Sequence, residues 1–223
     1  MNASTVDQTS AAIGLPADLA RILALSAEFD EDVSALLNSG WNASTQRLAI
    51  SMAYCKAALE HAISQRVLIE VGLHGTALSL VRLHFEAVVR AAWVLQGAND
   101  EWVTKFCTPV PDGDFSEPQM GPPIPAMLDA IKKYAPDAAR EFARLNETVK
   151  VMHSFVHGGA HLVVHALRGY PPGKLVSVLQ NRNLLTLQLT NVIVIGSQNP
   201  QLRGMVGKLG KKHAGCMPPL VAG

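Results

Sequence analysis

Residues 71–96 read VGLHGTALSLVRLHFEAVVRAAWVLQ. Across residues 73–95 the only formal charges are Arg82, Glu86 and Arg90, spaced four apart. Successive i+4 positions on an α-helix drift by about 40°, so the three side chains form one stripe. The other faces carry Leu, Val, Ala, Phe and Trp. A helix that is apolar nearly all round belongs in the middle of a protein. The rest of the chain must therefore cover this segment, and must pair its charged stripe or use it.

Helical patterns surround it. Residues 17–37 place Leu19, Ile22, Leu23, Phe29, Val33 and Leu36 at helical spacing after Pro16, with Gly40 as a left-handed end. Residues 46–70 follow Ser44 or Thr45 as cap. Shorter helices are predicted over 101–106 and 125–134, then a longer one over 137–156. The next runs over 160–167. The apolar stretch 174–196 alternates like a strand at Leu185, Leu187 and Leu189, yet its length and surroundings argue for helix. Residues 108–124 hold five prolines, at 109, 111, 118, 122 and 123, and neither helix nor central strand tolerates that density. The fold expected is all-α: a single bundle of about seven helices around the buried central one, spanning 16–200. A disordered N-terminus over 1–15, a Pro-rich loop over 108–124 and a flexible basic tail over 201–223 complete the expected organisation.

The totals set limits. At 223 residues the chain can bury roughly 70% of its unfolded surface. Only 17% of residues are charged, which points to helices buried on several faces or to a subunit interface, and so to a homodimer. A net charge of +1 supplies no global field for nucleic acid or membrane, and no DNA or membrane partner is predicted. Cys55, Cys107 and Cys216 form no metal-binding spacing and are read as reduced thiols of a cytoplasmic protein. The N-terminal residues lack the basic and apolar regions of a signal peptide.

Two groups of residues can carry chemistry. The Arg82-Glu86-Arg90 stripe is either a salt-bridge ladder or an anion clamp that uses the planar fork of an arginine. The second group is HSFVHGGAH, with His153, His157 and His161 four apart. Histidines at i and i+4 can hold a metal, but Gly158-Gly159 interrupts the helix and no carboxylate lies among them. Hydrogen-bonded structural histidines are the plainer reading. If the helix ending at His157 packs beside the central one, His157 comes near Glu86 or Arg90. A histidine oriented by a carboxylate, with arginines nearby, is a workable general base and anion clamp. No cofactor is called for, since GxSxG, Walker and GxGxxG motifs are all absent.

Residues 77–95, ALSLVRLHFEAVVRAAWVL, followed by HSFVHGG at 153–159, resemble a group of bacterial helical domains of unknown function. Their pattern is Arg-x-x-x-Glu-x-x-x-Arg-x-x-Trp and then His-Gly-Gly at a helix end. Arg82, Glu86, Arg90, Trp93, His157, Gly158 and Gly159 match it, and the likeness covers roughly 44–198. That group is similar in outline to the HEPN superfamily, helical bundles that often dimerise and commonly act as metal-independent ribonucleases in toxin–antitoxin and defence systems. The resemblance implies RNA as a partner, His157 as acid/base, Glu86 orienting, and Arg82 or Arg90 binding phosphate. The sequence departs from the HEPN motif of Arg, four to six residues, then His. Before His157 the corresponding positions are 149–152, with Lys150 as the basic residue. Two other functions stay open beside a ribonuclease: a non-catalytic helical interaction module, and a metal-binding bundle using His153, His157 and His161.

Overall fold

The computed structural model describes residues 14–38, 43–109 and 120–219. Among these residues the chain forms nine α-helices, one short 3-10 turn and no strand. The helices are α1 (Ala17–Leu37), α2 (Gln46–Glu70), α3 (His74–Gln96), α4 (Asp100–Phe106), α5 (Ile124–Lys132), α6 (Pro136–Val156), α7 (Ala160–Arg168), α8 (Pro172–Ser197) and α9 (Pro200–Lys212). The all-α bundle expected from the sequence is the fold.

The central helix is α3. It packs against α2, α5, α6, α7 and α8. Phe85, Val88, Val89, Ala91 and Val94 are buried in one core with Phe142 and Leu145 of α6 and Leu189 and Ile193 of α8. A second core joins α1 to α8, with Leu19, Ile22 and Phe29 against Val178 and Leu179. Tight turns set the entry to α3: Gly72 has φ +81°, a conformation that favours glycine. Thr45 caps α2, its hydroxyl accepting from the Leu48 amide at 3.2 Å.

The stretch that alternates like a strand is helical throughout as α8. Its threonines fit a helix because each hydroxyl donates to a carbonyl four residues back: Thr186 to Arg182 at 2.9 Å and Thr190 to Thr186 at 2.8 Å. Gln198, at φ 55°, ends the helix in the left-handed region.

One expectation changes, at the C-terminal stretch. The residues expected to form a flexible basic tail over 201–223 instead form α9 and a 3-10 turn over Ala214–Cys216. Leu202, Val206 and Leu209 fall on one face and are buried, and that face outweighs the low helix propensity of three glycines. Leu202 and Val206 share a core with Leu36 and Val194. Asp32 of α1 ties the end down, bonding Lys212 Nζ at 2.5 Å and His213 Nε2 at 2.6 Å. The segments expected at 1–13, 110–119 and 220–223, and Gly40 as the end of α1, lie outside the described residues. Among the described residues no helix is long and apolar enough to cross a membrane.

Candidate functional site

The stripe on α3 is a ladder with Glu86 at its middle. Arg82 Nε donates to Glu86 Oε1 at 2.7 Å, and Arg90 Nη2 lies 3.4 Å from Glu86 Oε2. The side chains of Arg82, Glu86 and Arg90 are 33%, 23% and 14% exposed, so the stripe runs from the surface inward. At its inner end Arg90 Nε and Nη1 are buried with no acceptor among the described residues. Such donors lose the full desolvation energy of the group without a protein bond in return. Tyr54 of α2 sits in reach of the same charge: burial pushes its phenol up, and Arg90 pulls it back down.

The helix α6 brings the second group. Phe142, Leu145 and Val149 pack it against α3, and one turn on His153 reaches the stripe. Arg82 Nη1 donates to His153 Nδ1. An arginine only donates, so His153 Nδ1 is the acceptor, and a proton on a neutral ring sits on Nε2. The His157 ring lies beside it, 4.3 Å between centroids at a tilt of 49°. Both histidines are exposed. The sequence pointed to His157 as the histidine meeting Glu86 or Arg90; in the structure His153 makes the contact, to Arg82, and His157 stands one ring further out.

His157-Gly158-Gly159 is the turn between α6 and α7. His157 caps α6, and Gly158 has φ +65°. The Gly159 amide returns to the Ser154 carbonyl at 2.7 Å, and Ser154 Oγ accepts from the His161 amide at 3.1 Å. A Cβ at Gly159 would stand 2.5 Å from Ser154 Oγ. The turn therefore needs both glycines, one for its conformation and one for its packing. His161 points elsewhere, its ring stacked on Phe155 at 6.5 Å. The three histidines do not converge, and among the described residues no group of three or more His, Cys, Asp or Glu side chains is placed to hold a metal.

A second charged cluster escaped the sequence reading. Arg182 of α8, with its side chain 1% exposed, clamps Asp30 of α1 through Nη1 at 2.6 Å and Nη2 at 2.9 Å. Its Nε donates to the Ala62 carbonyl at 2.9 Å. Arg66 adds a bond to Asp30 at 2.9 Å, and Asn183 links Ser26 to the Cys216 carbonyl. Every group in this network is engaged by the protein, as a buried charge requires, so it holds α1, α2 and α8 together. The available signal was Arg182-Asn183 in an otherwise apolar helix, since such a pair must find partners. His84 of α3 was also passed over. It is 1% exposed with Nε2 unpartnered among the described residues, and burial, then Arg182 and His61, hold its pKa well below the usual histidine range.

The fold is an all-α bundle whose central helix carries an Arg–Glu–Arg ladder running from the surface inward. The chain belongs to DUF6988, a family of unknown function whose model matches residues 55–219. That span contains the stripe, both histidines, α8 and α9. No curated protein and no solved structure matches the chain.

Proposed function

We propose that the Arg82–His153–His157 cluster is a surface site for a phosphodiester and that the protein acts on RNA, as a HEPN-like toxin or defence protein would. The observation that carries this is the Arg82–His153 bond with His157 beside it, exposed and next to a paired arginine. Glu86 and His153 each hold one edge of the Arg82 guanidinium, which leaves Nη2 for a phosphate oxygen. His157 supplies the imidazole that moves a proton. In cleavage the 2′-hydroxyl oxygen attacks phosphorus, its proton passes to His157, and the P–O5′ bond breaks to leave a 2′,3′-cyclic phosphate and a 5′-hydroxyl protonated from solvent. Arg82 neutralises charge on the phosphoryl oxygens. An open surface rather than a closed pocket suits a polymeric substrate. The pairing of two copies rests on the low charged fraction of the sequence.

The test is cleavage of single-stranded RNA with EDTA present, by the wild type and by His157→Ala. Cutting by the wild type alone, with both proteins equally folded, supports the reading. Equal cutting by both removes His157 from the site.

A second reading has its own observation. Both arginines are tied to Glu86, and the His-Gly-Gly segment is consumed in a helix-to-helix turn. Those are the marks of a non-catalytic interaction module. If neither protein cuts RNA, this reading replaces the first.

A further inference from the structure

On the far side of α6 from the histidines, a groove of about 870 Å3 runs between α6 and α9. Its floor is one face of α8, formed by Leu184, Leu187, Gln188 and Asn191. Small-molecule sites are concave spaces of roughly 300–1,000 Å3, mostly apolar with a few placed polar groups. This groove has that volume, and its floor joins two leucines to two amides.

Charge gives the occupant a sign. On the α6 wall, Arg144 is paired with Glu141 at 3.1 Å. On the α9 wall, Arg203 and Lys211 line the groove, and neither has an ion-pair partner among the described residues. The lining therefore carries a surplus of two positive charges over an apolar floor. The floor positions span about 10 Å of α8, two helical turns, a length and volume that accommodate a small molecule.

Gly207 sharpens the site. It faces the groove in the middle of α9, where glycine weakens a helix by ~1 kcal/mol relative to alanine. A Cβ there would meet nothing within 4 Å. The bare backbone at this point keeps the groove open.

We propose that the α6–α8–α9 groove binds an amphipathic organic anion, with its acidic group at Arg203 and Lys211 and its apolar body on Leu184 and Leu187. The site is independent of the cluster on α3.

The probes are dodecanoate and 8-anilinonaphthalene-1-sulfonate, with dodecyltrimethylammonium as the cationic counterpart of equal chain length. The full-length protein is expected to bind both anions competitively and the cation at least tenfold more weakly. Gly207→Leu fills the groove from a position with free space, so the protein folds and anion binding falls at least tenfold. Arg203→Glu with Lys211→Glu lowers anion affinity by a similar factor and reverses the preference for charge. Equal binding of anion and cation would overturn the proposal. So would unchanged binding in a folded Gly207→Leu protein, or no binding of either anion.

Discussion

Arg82 of α3 and His153 of α6 are bonded through Nη1 and Nδ1, although 71 residues separate them in the chain. The register of α6 on the central helix, set by Phe142, Leu145 and Val149, brings the two together, and the bond places an imidazole next to a guanidinium that Glu86 already holds. The same few atoms thus bear on both stability and chemistry, and substitutions can separate the two.

Replacing Glu86 by alanine leaves Arg82 and Arg90 facing each other without a counter-charge. Breaking a fully buried pair costs roughly 3–5 kcal/mol. Here the carboxylate is 23% exposed and the outer arginine 33%, so the expected loss is about 2–3 kcal/mol. In a chain of this size that lowers Tm by roughly 5–10 °C. Thermal unfolding followed by circular dichroism reads it, and an unchanged Tm would show that the ladder does not support the fold.

Asp30→Asn acts deeper. Arg182, almost fully buried, would keep its charge and lose its bidentate partner, and Arg66 would lose one bond. A loss of about 3 kcal/mol or more is expected. It should appear as a lower midpoint in urea with an unchanged slope, because the native surface stays the same.

Acidification should weaken the fold through His84. Its folded pKa lies well below the usual range, chiefly by burial, so the unfolded chain binds the proton first. Stability from the neutral ring is full above the unfolded pKa of about 6.5 and falls as pH drops below it. His61, also depressed by burial, adds a contribution of the same sign. Urea denaturation at pH 7.5 and 5.5 is expected to show less stability at the lower pH, and the difference should shrink in His84→Leu. An equal difference in both proteins would assign the pH dependence to other groups.

Gly158→Ala puts a Cβ on a residue at φ +65°, in otherwise open space. The left-handed conformation alone sets the cost, about 1–2 kcal/mol. A Tm change of a few degrees is expected. No change would mean that the turn adjusts freely and does not fix His157.

Much of this architecture was legible because it depends on local pattern. The apolar faces around Arg82, Glu86 and Arg90 announced a buried central helix, and their spacing announced the ladder. Thr45 caps its helix in the sequence and in the structure. What stayed hidden depends on distance. Asp30 and Arg182 are 152 residues apart, and nothing near either one names the other. Nothing local marks His84, because burial on every side is a property of the packed bundle. In α9 the pattern was present at Leu202, Val206 and Leu209 but was masked by glycines and lysines. Which histidine meets Arg82 was likewise decided by the register of α6 on α3, a tertiary choice that four-residue spacing leaves open between His153 and His157.

The most direct measurement is an NMR titration of the histidine ring signals with a single-stranded RNA oligonucleotide carrying 2′-methoxy groups, which binds without being cut. Shifts concentrated at His153 and His157, lost in Arg82→Ala, are the expected result. Binding of the oligonucleotide with those two rings unmoved, or no binding at all, would contradict a phosphodiester site at Arg82, His153 and His157.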